Sequence, residues 1–206
     1  CGRCALTAIE LTAPEIWAYQ HFTDLDPESW SYEGIQYCVA TGLMSGVGGT
    51  TFLPGGVTTR AQLVQILYNF VGGPEVSGET PFTDLTDDWY QDAVLWGYQT
   101  GVVAGTSETT FSPNDPVTRE QAAVLLMGYA EKIAQVDLSG AQADLSRFPD
   151  GDQVSDWARM QMSAAVALGL ISGVPIDGRD YLCPQDSATR EQVATILMNF
   201  CQNVKK

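Results

Sequence analysis

Three arginines hold the same place in three copies of one short motif, in which a threonine directly precedes the arginine and a glutamine lies two residues after it. A threonine three residues before a glutamine forms a capping box, the reciprocal pair of hydrogen bonds that begins an α-helix. The arginine is then the first helical residue, where the helix dipole disfavours a cation by about 0.3–1 kcal/mol. We therefore expect an anionic group beside each guanidinium, either a carboxylate of the chain or a bound ligand. The arginines are Arg60, Arg119 and Arg190.

The motif begins the second of two helices in a repeated unit. After each arginine, apolar residues recur at the spacing i, i+3, i+4, i+7, which is typical of an amphipathic helix. The first helix of each unit begins near a tryptophan, and in the first copy Asp26 followed by Pro27 predicts its start. A glycine-rich turn and a short extended segment connect the two helices. The apolar residues of the second helices are Leu63, Ile66, Leu67 and Phe70; Ala122, Leu125, Leu126 and Tyr129; and Val193, Ile196, Leu197 and Phe200.

The chain therefore divides into an N-terminal arm and three tandem helix-loop-helix units. The arm covers residues 1–21, the units cover residues 22–71, 82–130 and 148–201, and the loop of the third unit is three residues longer than the others. Two helices cannot bury their own apolar faces, so the units must share one core. We predict a mainly α fold in which the three repeats form a pseudo-threefold bundle with short extended segments in the loops. An open solenoid is the alternative.

The composition excludes several classes of partner. The chain of 206 residues has a net charge of −15 and contains only 10 Lys and Arg residues. Nucleic acids and anionic membrane surfaces are bound by clustered cations, so we expect neither as a partner. No apolar run approaches the roughly 18 residues that a membrane-spanning segment needs. Such an acidic chain suits an exposed or secreted protein.

The chain has five cysteines, so at least one is unpaired within a monomer. Cys1 and Cys4 have the spacing of a redox C-x-x-C motif, but such motifs follow a strand and none is predicted here. A disulfide to Cys183 or Cys201, or a bond between molecules, suits an oxidising setting better. Cys38 aligns with a glycine and an alanine of the other repeats, so we expect a small buried side chain there.

Residues that could support catalysis or bind a metal are scarce. His21 is the only histidine, which excludes a histidine-based triad and a multi-histidine metal site. The aspartates within 84–88 and 150–152 do not match the EF-hand pattern, and we expect them to cap the first helices. No cofactor is implied, and an enzyme such as a wall hydrolase has little support.

In this order, the motifs resemble those of the surface-layer homology (SLH) family. Each repeat has a Phe-x-Asp segment, a tryptophan with a first helix of small residues, a Gly-x-x-Ser/Ala-Gly turn, a Phe-x-Pro segment and Thr-Arg-x-Gln. The resemblance covers residues 22–201. Two features differ from the family pattern. The usual Thr-Arg-Ala-Glu is here Thr-Arg-x-Gln, and the loops 46–54 and 105–113 contain no Lys or Arg, where many relatives place a second cation.

The resemblance implies an extracellular, non-catalytic module that anchors to the bacterial cell wall or cell surface. SLH triplets bind secondary cell-wall polysaccharide, often bearing a pyruvyl ketal, in the grooves between repeats. By motif, each arginine would face the ligand carboxylate, and an aspartate, a tryptophan and a glycine would line the groove. These residues are Asp24, Asp84 and Asp150; Trp30, Trp89 and Trp157; and Gly46, Gly105 and Gly173.

Each of these assignments competes with a structural interpretation. The arginines could bond the three aspartates, or loop carbonyls of an adjacent repeat, instead of a ligand. The three tryptophans begin an apolar stripe, so we favour core packing over a sugar platform, and we expect packing also for Trp17 and Trp96. As an alternative to an anchor, the chain could be a structural subunit that self-assembles at the cell surface or into a filament, through its repeats, its N-terminal arm or a disulfide-linked partner.

Overall fold

The protein is mainly helical. A computed structural model describes residues 21–204, so Trp17 and nearly all of the predicted N-terminal arm lie outside the described residues. None of the helices in this range is long and apolar enough to cross a membrane. The helices are α1 (Tyr32–Ala40), α2 (Arg60–Phe70), α3 (Gln91–Gln99), α4 (Arg119–Lys132), α5 (Arg159–Ala167) and α6 (Arg190–Asn203). The strands are β1 (Val174–Ile176) and β2 (Arg179–Tyr181), and 3₁₀ turns span Asp88–Tyr90, Leu145–Arg147 and Gly151–Gln153.

The predicted capping boxes begin α2, α4 and α6. In each, the threonine hydroxyl accepts a hydrogen bond from the glutamine amide, and the glutamine side chain accepts one from the threonine amide. The residue after the threonine is the first helical residue in all three cases. The sequence prediction that the arginines stand at the first helical position is therefore confirmed.

The repeats pack through helices that belong to different repeats. The second helix of each repeat packs against the first helix of the next, so that α2 contacts α3 and α4 contacts α5. The last helix, α6, contacts α1, which closes the cycle. Because the apolar faces meet across repeat boundaries, no repeat buries its own core, which is the behaviour expected of two-helix units.

Residues of the three repeats meet in two small rings, one made of main-chain hydrogen bonds and the other of aromatic side chains. Main-chain hydrogen bonds run from Thr58 N to Ala188 O (3.0 Å), from Ala188 N to Val117 O (2.8 Å) and from Val117 N to Thr58 O (2.9 Å). Ten residues after each arginine, the rings of Phe70, Tyr129 and Phe200 form a triangle, with centroids 5.6, 5.8 and 6.5 Å apart. Each repeat contributes one residue to each ring, so residues of all three repeats meet at both places.

Two local features differ from the sequence expectations. Helix α1 begins at Tyr32 and not at Pro27, because Asp26 Oδ1 accepts from the Glu28 amide and the chain forms a turn first. The longer loop of the third repeat holds the hairpin β1–β2, with Val174 opposite Tyr181. Among the described residues, this hairpin is the one β-sheet.

Candidate functional site

Each of the three arginines is inserted into the loop of the neighbouring repeat. Arg60 donates through Nε to Phe111 O (2.8 Å) and through Nη2 to Ala104 O (3.1 Å). Both acceptors belong to the second repeat, while the arginine belongs to the first. The other two arginines repeat this pattern around the cycle. Arg119 donates to Leu182 O (2.7 Å) and Ser172 O (3.1 Å), and Arg190 donates to Phe52 O (2.8 Å) and Ser45 O (2.6 Å).

The helix N-termini beside the arginines are also occupied by the protein. The amide of Arg60 donates to Asp115 O and that of Ala61 to Pro113 O, both at 3.0 Å. The corresponding amides of α4 and α6 bond the corresponding loop carbonyls of the third and first repeats. The third amide of each helix is taken by the capping threonine. A ligand carboxylate therefore cannot use these amides, although a helix N-terminus is otherwise a favourable site for an anion.

The hydrogen-bond partners of these buried cations are carbonyl oxygens and not carboxylates. Arg60, Arg119 and Arg190 are 5%, 4% and 8% exposed. Burial lowers the pKa of each guanidinium, and aspartate charges nearby partly oppose this shift. The guanidinium of Arg60 lies 4.7 Å from the centroid of the Phe111 ring, and that of Arg190 lies 4.6 Å from the Phe52 ring. Such stacking adds a favourable cation–π contact.

The three motif aspartates hold the loops and do not pair with the arginines. Asp24 accepts hydrogen bonds from the amides of Phe52 (2.9 Å) and Leu53 (2.7 Å). Asp84 and Asp150 do the same in the second and third repeats. Within residues 21–204 the one ion pair joins Arg159 and Asp156. The expectation that these aspartates bond the arginines is therefore wrong, and Asp84 and Asp150 bond loop amides instead of capping the first helices. A role in lining a groove stays a prediction for all three.

These aspartates stabilise an unfavourable backbone conformation. The residue whose amide donates the second hydrogen bond has a positive φ in every repeat: 62° at Leu53, 58° at Ser112 and 49° at Cys183. A non-glycine residue adopts this conformation at a cost, so it needs local support. Desolvation raises the pKa of Asp24, but hydrogen bonds from the amides of Phe52, Leu53 and Asp24 itself, together with the charge of Arg190, hold this pKa below its usual value.

The three motif tryptophans are exposed, so the preference for core packing was wrong. Trp30, Trp89 and Trp157 are 64%, 52% and 57% exposed. Each lies just before its first helix begins, in the turn or 3₁₀ segment that leads into it, and not on the helix face that packs. By contrast Trp96 is only 5% exposed and packs against Tyr68, as expected. Cys38 is fully buried, as predicted, and aligns with buried Gly97 and Ala165.

One groove combines residues of all three repeats and has a volume of about 580 Å³. Arg60 reaches it from the first repeat, the 101–106 loop and α4 form its walls, and Trp157 borders it from the third repeat. We call it the Arg60 groove. Its wall also carries Lys132, whose Nζ donates to Gly101 O, and Glu131.

A second groove, the Arg190 groove, has the same design and a volume of about 350 Å³. It is lined by Arg190 of the third repeat, by residues 42–47 and α2 of the first repeat, and by Trp89 of the second. Arg190 is its one charged lining residue. In both grooves the described residues leave Nη1 of the arginine without a hydrogen-bond partner.

Each groove also contains a buried acceptor without a partner. Gln65 Oε1 in the Arg190 groove and Gln161 Oε1 in the Arg60 groove are buried and make no hydrogen bond with any described residue. One glutamine lies on a second helix and the other on a first helix. A ligand hydroxyl that donated to these oxygens would remove an unfavourable buried polar group.

The glycines of the Gly-x-x-Ser/Ala-Gly turn allow the loop to close tightly. A Cβ at Gly46 would lie 2.5 Å from the Phe22 ring, and one at Gly105 would lie 2.3 Å from Ser107 O. Both glycines line a groove. At Gly173 the added atom would lie 2.3 Å from the side chain of Asp180 in the hairpin, so the third loop is closed by a different element.

Three segments of the chain match a known protein family. The pattern of the S-layer homology domain matches residues 21–64, 81–123 and 147–194. The chain belongs to the S-layer homology domain family. The three matched segments hold the arginines, the motif aspartates and the motif tryptophans, so the SLH repeats are the units that build both grooves.

The relatives of this SLH chain are much longer proteins. It is 32% identical to the surface-layer 125 kDa protein of Lysinibacillus sphaericus over 85% of this chain and 14% of that protein. It is 30% identical to an endoglucanase of Bacillus sp. (strain KSM-635) over 89% of this chain and 19% of the enzyme. It is 23% identical to the S-layer protein sap of Bacillus anthracis over 91% of this chain and 22% of that protein. The chain thus spans between a seventh and a quarter of these relatives.

Several residues of the SLH grooves escaped the sequence analysis. Gln65, Gln161 and Lys132 fall outside the repeated motifs, so only their position in the folded chain reveals them. Glu120 is 2% exposed and accepts from Ser155 N (3.0 Å), Ser155 Oγ (2.8 Å) and Gln185 Nε2 (2.8 Å). Glu120 is the second residue of its helix, and its partners Ser155 and Gln185 lie in the third repeat. The sequence around Glu120 therefore does not indicate that its carboxylate is buried and bonded.

Three of the five cysteines, Cys38, Cys183 and Cys201, lie within the described residues. Cys38, Cys183 and Cys201 carry no disulfide with one another. Cys1 and Cys4 lie outside the described residues, so a staple from either of them stays a prediction. Burial raises the pKa of the Cys38 and Cys201 thiols, which keeps both protonated at neutral pH.

Proposed function

We propose that this SLH chain is a non-catalytic module that anchors to the bacterial cell wall by binding anionic, pyruvylated secondary cell-wall polysaccharide in its inter-repeat grooves. The observation that carries the proposal is the Arg60 groove. There an unpaired guanidinium edge, an unpaired buried acceptor and a half-exposed indole face one cleft. An acidic sugar needs these three partners: a donor for its carboxylate, an acceptor for a hydroxyl and an apolar face for its ring.

The relatives support an anchoring role over catalysis. They include surface-layer proteins and enzymes that differ in activity, such as an endoglucanase and an amylopullulanase. The shared part is the SLH region, which is a small fraction of each. A segment common to proteins of such different activity supplies a property that they all need, and attachment to the cell surface fits this requirement. We therefore place this chain at the cell wall, outside the cell.

We also propose that the three repeats form a pseudo-threefold bundle. Support comes from the closed cycle of helix pairs, from the ring of main-chain bonds among Thr58, Val117 and Ala188, and from the aromatic triangle. This arrangement would place one groove at each repeat boundary. Because the third loop contains the hairpin, the groove beside Arg119 would differ in shape from the other two.

The binding proposal is tested by isothermal titration with purified, pyruvylated wall polysaccharide. We expect saturable binding by the wild-type chain, and much weaker binding to the same polymer after its ketals are removed by mild acid. Trp157→Ala should weaken binding without unfolding the protein, while Tyr98→Ala, at another exposed aromatic outside both grooves, should not. Absence of binding to both the polymer and intact walls would overturn the proposal.

A second candidate function is self-assembly of a structural subunit. The observation that favours it is the pair Trp157 and Met160, which are 57% and 73% exposed and close in sequence. Exposed apolar residues of this size can pack against a second copy. Light scattering across a concentration series tests it, since a mass that stays monomeric at every concentration would exclude assembly through this patch.

A further inference from the structure

Both grooves contain a motif arginine and a motif tryptophan, but they differ at one position of the repeat whose second helix forms the groove wall. This position is the thirteenth residue after that repeat's own arginine. This residue is Lys132 beside the Arg60 groove, Gly73 in the first repeat and Asn203 in the third. Lys132 donates to Gly101 O, and Asn203 Nδ2 donates to Leu168 O (3.0 Å). Both acceptors lie at the end of the first helix of the same repeat, so the position is structurally equivalent in these two repeats.

The end of a first helix is a poor neighbour for an anion. Its last carbonyls carry partial negative charge, which repels a carboxylate nearby and attracts a cation. In the Arg190 groove, Gly42 follows the first helix as Gly101 does in the second repeat, and it lines the cleft. No lining residue of this groove except Arg190 is charged. In the Arg60 groove the ammonium of Lys132 covers the carbonyl at Gly101. The same group that satisfies this carbonyl adds a second positive charge to the groove wall.

Glu131 also lines the Arg60 groove and must be weighed against Lys132. The Lys132 ammonium is held at the groove by its bond to the 101–106 loop. Glu131 and Lys132 are both exposed, but Glu131 makes no hydrogen bond or ion pair with any residue between 21 and 204. Its carboxylate is therefore free to extend into water, where solvent and salt screen it. The bond to Gly101 O, by contrast, fixes the Lys132 charge at the groove wall.

We infer that the grooves are unequal and that the Arg60 groove is the primary site for the acidic sugar, with Lys132 as the residue that sets this preference. This inference rests on the proposed function and deepens it. The Arg190 groove, which has one cation and a smaller volume, binds the same sugar more weakly. The region beside Arg119 has a neutral amide, Asn203, in place of the ammonium.

The tryptophans provide one reporter for each groove. Trp157 borders the Arg60 groove and Trp89 the Arg190 groove. By the order of the repeats, Trp30 is the expected reporter for the Arg119 region. Buried Trp96 is an internal reference. A heteronuclear NMR titration would follow the indole N–H signals, assigned with single Trp→Phe variants. The probe is a short wall-polysaccharide fragment bearing one pyruvyl ketal, and its ketal-free counterpart is the control.

Two reciprocal variants exchange the deciding residue. Lys132→Asn places the third repeat's residue in the second repeat, and Asn203→Lys does the reverse. Both keep a donor for the helix-end carbonyl, so neither should unfold the protein. We expect the Trp157 signal to saturate first in the wild type. Lys132→Asn should raise the Kd reported by Trp157 about fivefold and leave that reported by Trp89 unchanged.

The remaining variants test the sign and the generality of the effect. Asn203→Lys should bring the Trp30 signal to saturation at a lower concentration than in the wild type. Glu131→Gln should lower the Kd reported by Trp157, because it removes the opposing charge. A structural effect of these substitutions would not be confined to one indole or change sign with the charge.

The outcomes separate this inference from the proposed function. If all three indoles saturate together, or if Lys132→Asn leaves the Trp157 titration unchanged, the inference is overturned and wall binding stands. If no indole responds at any concentration of the fragment, the proposed function fails and the inference fails with it. Saturation of Trp157 first, lost in Lys132→Asn, supports both.

Discussion

Two regions of this chain differ in how strictly they repeat: the arginine sockets, which are the loop carbonyls that bind Arg60, Arg119 and Arg190, and the groove rims, which are the residues at the groove edges. The sockets are nearly identical: each guanidinium donates through Nε and Nη2 to two carbonyls of the next repeat, at 2.6–3.1 Å. The rims differ in every repeat, where Gly73, Lys132 and Asn203 hold one equivalent position and a hairpin enlarges the third loop. A repeated residue in this fold builds the frame. A residue that varies between repeats decides what each groove can bind.

The comparison also changes the meaning of the arginines. They looked like ligand-binding residues because a helix N-terminus does not favour a cation. In the structure they connect the repeats in a closed cycle, and only one edge of Arg60 and of Arg190 remains for a ligand. Frame and site thus share a residue, so removing an arginine cannot test binding by itself. The exposed tryptophans and Lys132 are better probes.

The largest effect is expected from removing a socket arginine. Arg119→Ala leaves the Leu182 and Ser172 carbonyls without their donor and opens a space between repeats, which should lower the free energy of unfolding by about 3–5 kcal/mol. Arg60→Ala should cost about 0.5–1 kcal/mol more, because it also loses the stacking on Phe111. Urea denaturation measures both. Exposed Arg179→Ala is the control, and a loss below 1 kcal/mol in Arg119→Ala would show that the sockets are not the frame.

A smaller effect is expected at the carboxylate that joins the second and third repeats. Glu120→Ala removes the acceptor for Ser155 and Gln185 and should destabilise the protein by about 2–3 kcal/mol. Among residues 21–204, the side chain of Glu191 at the equivalent place accepts from Ser31 Oγ alone (2.8 Å), so Glu191→Ala should cost less. Thermal unfolding of both variants, with exposed Glu108→Ala as the control, would rank the repeat boundaries. Equal losses at Glu120 and Glu191 would contradict the ranking.

Acid should weaken the loop that Asp24 supports. The folded pKa of Asp24 lies below its usual value, so the carboxylate contributes stability above the unfolded pKa of about 4, and this contribution is lost as the pH falls through the folded pKa. Asp24→Asn lacks this titration. The difference in urea midpoint between wild type and Asp24→Asn should therefore be largest at neutral pH and shrink below about pH 4. A difference that stays constant from pH 3 to pH 7 would show that Asp24 does not contribute in this way.

The smallest effect on stability is expected at the rim. Trp157→Ala removes a side chain that is more than half exposed, so the free energy of unfolding should change by less than about 0.5 kcal/mol. Trp96→Ala, at a buried ring, should cost about 3–5 kcal/mol and is the matched comparison. Chemical denaturation separates the two. A large loss in Trp157→Ala would mean that the rim is part of the frame, and the proposed division would fail.

Much of the frame could be predicted from the chain alone. The capping boxes, the apolar spacing after each arginine and the small residue at Cys38, Gly97 and Ala165 depend on contacts close in sequence or repeated three times. The tryptophans were misplaced because a residue just before a helix can be mistaken for one on its face. A first helix that begins at Tyr32 and not at Pro27 turns Trp30 from the core to the surface. The aspartates were misassigned because the amides that they hold lie at least 27 residues further along the chain.

The amino-acid sequence by itself determined the family, the three repeated units and the helix starts, since each follows from short-range hydrogen bonds and periodic burial. Only the tertiary structure decided that the arginines bond the next repeat, that two grooves stay open beside them and that Lys132 lies in one of these. Those facts depend on which loop meets which helix after the chain has closed its cycle. Local spacing carries no information about such contacts, because their partners lie between 31 and 145 residues apart.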